Sequence, residues 1–225
     1  ESLTDPSYKE QLLVYTYPII GNYGVPSDHK DKHDISTVFE SDHIHVTALI
    51  VEECIEDGKH SHWEAEKSLN QWLKEEKVIG LSGIDTRELT KIIREYGTMK
   101  AKIVSCSGAE DPEDIDIEYE AKQLVQKVSI QVPKTIQLST ENTDKYVMVV
   151  DCGLKNSQLR ILCEKLSNGP IKANLKIVPF NDVSIQTTQN NVDVDPNLLG
   201  IFVSNGPGDP RSPELSPLVA YLRKV

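Results

Sequence analysis

Apolar and polar positions divide the chain into two stretches of different character. In the first, Gln11–Tyr17 reads as a strand, followed by the turn-rich Pro18–Pro26. His43–Glu52 (HIHVTALIVE) alternates and then becomes continuously apolar, which predicts a second strand. Ser61 and Glu64 form an S-x-x-E capping box, and Ala65, Leu69, Trp72 and Leu73 recur at helical spacing, so a helix is expected from Ser61. Another is expected from Asp85, with Glu88 three residues on, Leu89, Ile92, Ile93 and Tyr96 along one face and Gly97 at its end. Lys100–Ser105 (KAKIVS) reads as a closing strand, and Trp63 and Trp72 as packing residues on a helix face.

The second stretch has a different rhythm. Tyr146–Val150 (YVMVV) is continuously apolar, ends in Asp151-Cys152-Gly153 and runs into a helix with Leu159, Leu162, Cys163 and Leu166 on one face. Leu175–Phe180 and Gly200–Ser204 are the next strands. After Asn205-Gly206-Pro207-Gly208-Asp209-Pro210, Ser212 and Pro213 open a helix with Leu215, Leu218, Val219 and Leu222 on one stripe. Strands that are apolar throughout and separated by helices predict an α/β fold with a parallel sheet covered on both faces. Ligands on such sheets sit beyond the carboxyl ends of the strands, where Asp151–Gly153 and Asn205–Pro210 fall. The polar segment Val132–Lys145, with Pro133, reads as an interdomain linker.

Composition narrows the function. The 225 residues carry 35 acidic against 24 basic side chains, a net charge of −11. That charge argues against wrapping nucleic acid or docking on an anionic membrane. The excess lies in residues 1–145, with 28 acids and 16 bases, and peaks between Glu110 and Glu120, a run read as a solvated surface segment rather than a metal site. No apolar run approaches the ~20 residues of a membrane span. Four cysteines without C-x-x-C spacing, three of them in or beside apolar stretches, read as reduced thiols, which makes the cytoplasm the expected compartment. The polar start at Glu1–Glu10, without Met or signal peptide, suggests a piece of a longer protein.

Candidate chemistry concentrates in Ser204–Pro210 (SNGPGDP). Two glycines around a proline, between a buried strand and a capped helix, force a tight backbone whose N–H groups can hold an anion or a developing oxyanion. A plain surface turn is the simpler reading, and a phosphate-binding P-loop lacks its Lys and spacing. Cys152, directly after a strand and before Gly153, could mimic a nucleophile elbow but reads better as a small buried residue. All six histidines lie in the first stretch. His43/His45 and His60/His62 would each present both rings on one face of a strand, a conceivable metal pair without a matching Cys, Asp or Glu cluster. Asp5 and Ser7 sit in a compact turn and are expected to satisfy local backbone amides.

LTDPSYKEQLLVYTYPIIGNYGVP (Leu3–Pro26), GIDTRELTKIIREYGTM (Gly83–Met99), DCGLKNSQLR (Asp151–Arg160) and SNGPGDP (Ser204–Pro210) together resemble the small, glutamine-hydrolysing subunit of carbamoyl-phosphate synthetase, especially eukaryotic forms fused to aspartate transcarbamoylase and dihydroorotase. The resemblance implies a small-subunit N-terminal domain over residues 1–138, lacking its first strands, and the start of a class I glutamine amidotransferase domain, flavodoxin-like, over 145–225. It implies that Ser7, Gly206 and Gly208 contact glutamine and that the Gly206 amide donates to the oxyanion. None of the four cysteines matches the family's nucleophile elbow, so its Cys, His and Glu are expected beyond Val225 and this chain alone is expected to be inactive. Ser157 and Phe180 stand where relatives usually have Asn and Trp. The implied partner is a synthetase large subunit or fused synthetase domain, which would carry ATP and Mg, with no cofactor or metal in this chain. The product would serve pyrimidine synthesis, or arginine synthesis as the alternative. Two other readings stay open: an ammonia-dependent relative in which this region is a non-catalytic interaction module, and a flavodoxin-like nucleotide binder.

Overall fold

A computed structural model describes residues 1–105, 123–138, 143–186 and 195–225. The acidic run at Glu110–Glu120 and Cys106 lie outside the described residues. In chain order the elements are β1 (Leu12–Val14), β2 (Ile19–Ile20), β3 (Val25–Pro26), β4 (Ala48–Ile50), β5 (Glu53–Cys54), β6 (Ala65–Lys67), α1 (Leu69–Glu75), β7 (Ile79–Leu81) and α2 (Thr86–Tyr96). There follow β8 (Lys134–Ile136), β9 (Tyr146–Asp151), α3 (Asn156–Asn168), β10 (Asn174–Pro179), α4 (Val183–Gln186), β11 (Leu198–Val203) and α5 (Ser216–Leu222). They form two compact units interleaved along the chain. One comprises Glu10–Pro26 and Val46–Lys122; the other comprises Glu1–Lys9, Ser27–His45 and Gln123–Val225.

In the unit around Val46–Lys122, β1, β4 and β7 make a parallel sheet in that order. Ala48, Leu49, Ile50 and Val51 are buried, as the apolar run in HIHVTALIVE requires. Helix α1 buries Leu69, Trp72 and Leu73 and lies so close to β7 that a Cβ on Gly80 would sit 3.2 Å from Leu73 Cδ1. The helix begins later than its sequence pattern suggests. Ser68, not Ser61, caps it, its hydroxyl accepting from the Gln71 N–H at 3.0 Å. Ala65–Lys67 is instead drawn into an antiparallel pair with Val25–Pro26, and the Glu64 N–H donates to His62 Nδ1. Strand pairing therefore overrides the capping box at Ser61. Helix α2 follows its pattern: the Asp85 carboxylate accepts from the Glu88 N–H at 2.8 Å, and Gly97 ends it at φ +80°. Lys100–Ser105 forms no strand, and Trp63 is 85% exposed rather than packed.

In the other unit, the sheet order is β11-β9-β10-β8. β9 pairs in parallel with both β10 and β11, and β8 runs antiparallel on β10. Val149, Val150, Leu175 and Val178 are fully buried, which explains the unbroken apolar runs. Ile35, Leu159, Cys163 and Ile177 share one core cluster; Val125, Phe180, Ile185, Leu215 and Tyr221 share another. The expected linker is in part structural, because Lys134–Ile136 is an edge strand with Ile136 buried. Polar composition and Pro133 concealed it, since an edge strand tolerates both. Mixed α/β architecture with parallel sheets agrees with the expected class. Among the described residues no helix is long and apolar enough to cross a membrane.

Candidate functional site

From β9 the chain crosses through α3 to β10 on one side, while β11 lies on the other side of β9. The strand order therefore reverses between β9 and β11. In an open parallel sheet the crevice for a ligand lies at such a point, beyond the carboxyl ends. The two loops leaving those ends are the two singled out in the sequence, Asp151–Leu154 and Ser204–Pro210.

The first loop is built by one carboxylate. Asp151 is buried; its Oδ1 accepts from the Gly153 and Leu154 N–H groups at 2.8 and 2.7 Å, and its Oδ2 accepts from the Ile130 N–H at 2.8 Å. The second is pinned to the first by Ser204, whose Oγ accepts from the Cys152 N–H at 2.9 Å and donates to the Asn205 carbonyl at 2.8 Å. The loops then touch backbone to backbone. A Cβ on Gly206 would lie 1.9 Å from the Cys152 carbonyl oxygen, a separation no side chain permits. Gly153 faces it at φ +131°, and Gly208 turns the loop at φ +83° above Leu124. Among the described residues neither the Gly206 nor the Gly208 N–H has a hydrogen-bond partner.

Ser7 reaches this loop from the opposite end of the sequence. It sits in a short 3-10 turn, Pro6–Tyr8, whose preceding Asp5 accepts from the Ser7 N–H at 2.9 Å. Asp5 also pairs with Lys155 at 3.4 Å, with both side chains largely buried. The Ser7 hydroxyl accepts from Asn205 Nδ2. Ser7 and the Gly206 loop are thus neighbours, and Asp5 plays the local role expected of it. The start of α3 is held by a distant carboxylate: the Asn156 N–H donates to the Glu40 carbonyl and the Ser157 N–H to Glu40 Oε2, each at 2.9 Å. Glu40, Lys155, Ser204 and the Asn205 side chain were not singled out in the sequence. Only the position of Ser204 and Asn205 beside the glycines could have flagged them.

Cys152, directly after β9, is buried. Burial, with Asp151 and Glu214 nearby, pushes its thiol up to about 12. Burial likewise pushes Cys163 up to about 11 and raises Cys54. The His43 and His45 rings lie 4.1 Å apart, but on an irregular segment before β4 rather than on a strand face, and no group of three or more His, Cys, Asp or Glu able to hold a metal exists among the described residues. Cavities of about 260 and 360 Å³ lie in the other unit, lined respectively by Cys54, Leu73 and Leu81 and by His60, Lys67 and Lys74 among others; neither contains Ser7, Gly206 or Gly208.

Residues 1–103 match the family model of the carbamoyl-phosphate synthase small chain, CPSase domain. Over 93% of its length the chain is 43% identical to multifunctional protein CAD of Squalus acanthias, of which it covers 8%. It is 41% identical, again over 93% of its length, to the arginine-specific carbamoyl phosphate synthase small chains of Phaeosphaeria nodorum and Kluyveromyces lactis, covering 41% and 47% of them. It therefore spans less than half the length of these relatives.

Proposed function

We propose that this chain forms part of the glutamine-hydrolysing component of a carbamoyl-phosphate synthase. It would supply ammonia to a synthetase large subunit or fused synthetase domain that makes carbamoyl phosphate from bicarbonate and ATP, with ATP and Mg held on that partner. On this reading β9–α3–β10–β11 is the start of a class I amidotransferase sheet, Ser7 and the Gly206 and Gly208 backbone contact glutamine, and the compartment is the cytoplasm. The observation that carries it is the Ser7–Asn205 contact, which brings the turn at the chain's beginning to a glycine loop at the sheet's reversal point.

The chemistry follows from what an amide needs. A thiolate adds to the glutamine side-chain carbonyl, and its oxygen gains negative charge. The Gly206 N–H, unpartnered among the described residues, stabilises that oxygen. The catalytic His protonates the amide nitrogen, the C–N bond breaks to release ammonia as the carbonyl re-forms, and water then cleaves the thioester to glutamate and the free thiol. No described cysteine is suited to the thiolate role, since each is held protonated at neutral pH. On this reading, as the resemblance implies, the nucleophile with its His and Glu is supplied from outside this chain, and the chain alone is expected to show no glutaminase turnover. Turnover well above buffer that survives Cys152→Ala contradicts this.

In the full parent enzyme, replacing Gly206 by Ala is expected to lower glutamine-dependent synthesis at least ~10-fold while sparing ammonia-dependent synthesis, an oxyanion donor being worth ~10²–10³ in rate. An equal loss with both nitrogen sources removes the proposed role. Pyrimidine synthesis is taken as the first use of the product, from the resemblance to the fused eukaryotic forms; the arginine-specific relatives support the second reading. Whether uracil or arginine restores growth when the parent gene is deleted separates the two.

A further inference from the structure

His45 is 5% exposed and lies at the end of the segment that holds the Ser7 turn in place. Its backbone N–H donates to the Leu3 carbonyl at 2.9 Å. Its Nε2 lies 3.0 Å from Ser41 Oγ, which in turn lies 2.7 Å from the Thr4 carbonyl oxygen and 3.1 Å from that of His43. Thr4 is itself 1% exposed, and its hydroxyl accepts from the Glu40 N–H at 3.0 Å. Leu3 and Thr4 are thus gripped at three points by residues 40–45. Thr4 directly precedes Asp5, whose carboxylate shapes the Ser7 turn.

Counting protons fixes the direction of this chain of bonds. Carbonyl oxygens only accept, so the single Ser41 proton is committed to one of them, and Ser41 Oγ must accept from His45. Nε2 therefore carries the imidazole proton and Nδ1 is bare. The buried Nδ1 has no partner among the described residues, as a bare ring nitrogen can tolerate and a protonated one cannot. The charged groups around the ring are His43 and Lys9, which disfavour a second proton, and Asp42 and Asp5, which favour it; burial outweighs them all.

We propose that His45 is a positioning residue for substrate binding: its Nε2–H, relayed through the Ser41 hydroxyl to the Thr4 carbonyl, holds the Asp5–Tyr8 turn so that the Ser7 hydroxyl meets the Gly206 loop. The inference rests on the reading of Ser7 as a glutamine contact. Side-chain bulk alone does not serve this role; a donor at the Nε2 position does.

Two measurements test it. In the parent enzyme, His45→Phe is expected to raise the KM for glutamine ~10-fold with kcat changed less than ~3-fold, and His45→Gln, which keeps a donor near Nε2, to return KM to within ~3-fold of the unsubstituted enzyme. Ser7→Ala is run beside them. If Ser7→Ala leaves KM unchanged, the reading of the site fails and the inference falls with it. If Ser7→Ala raises KM but His45→Phe does not, or His45→Gln is no better than His45→Phe, the site stands and the positioning role is wrong. Independently of any variant, the ring ¹⁵N spectrum of the unsubstituted chain at neutral pH is expected to show His45 as the Nε2–H tautomer; the Nδ1–H tautomer or a protonated ring overturns the relay.

Discussion

A methyl group at Gly206 has nowhere to go, because the Cys152 carbonyl oxygen would lie 1.9 Å from it. Gly206→Ala must therefore push two loops apart, and a loss of stability of about 1–3 kcal/mol is expected from overpacking, read as a lower urea midpoint. The resemblance assigns this glycine to glutamine contact; the structure adds a close approach by the chain's own backbone. His45 carries a pH signature. Burial above all pushes its pKa from 6.5 down to about 4. Between those values the unfolded chain binds a proton that the folded chain refuses, so this contribution is complete above the unfolded pKa and is lost as pH falls toward the folded one. Urea midpoints should drop from neutrality to pH about 5, and less steeply in His45→Gln; identical slopes would place the effect elsewhere. The Cys152 thiol, pushed up to about 12, should resist alkylation at pH about 8 until the chain is unfolded.

At the scale of elements, the two competing caps of α1 give a clean comparison. Ser68→Ala removes the hydroxyl that accepts from the Gln71 N–H and contacts Asp57, and should cost about 1 kcal/mol. Ser61→Ala, at the cap expected from the S-x-x-E pattern, should change stability by less than ~0.5 kcal/mol, because Ser61 caps no helix. Equal effects in thermal or urea unfolding would mean the helix starts elsewhere. The contrast shows what local pattern can and cannot decide. Leu69, Trp72 and Leu73 were legible as a buried helical face because their spacing depends on the helix itself. The start was not, because Ala65–Lys67 finds a strand partner in Val25–Pro26, far away in the chain. β8 escaped notice for the same reason: three polar-flanked residues become a strand only when β10 offers its edge. α2 was legible almost to the residue, since Asp85 and Gly97 act on their own helix.

For the whole molecule, a net charge of −11 predicts weak affinity for polyanions. Fluorescence anisotropy with a duplex oligonucleotide should give a Kd no tighter than ~1 µM at physiological salt, and tighter binding would contradict the charge argument. The sequence by itself determined the α/β class, the apolar strands and the two loops at their carboxyl ends, since burial on both faces and glycine-proline turns leave a mark in every residue they use. It also supplied four ordered motifs that resemble the carbamoyl-phosphate synthase small chain. Only the tertiary structure decided which loops touch, that Asn205 reaches Ser7, that Glu40 holds the first turn of α3, and that residues 1–9 and 27–45 belong to the same compact unit as 123–225. Those are pairings between residues far apart in the chain. Each is set by the order of strands and the meeting of backbones, for which no single segment carries a local signal.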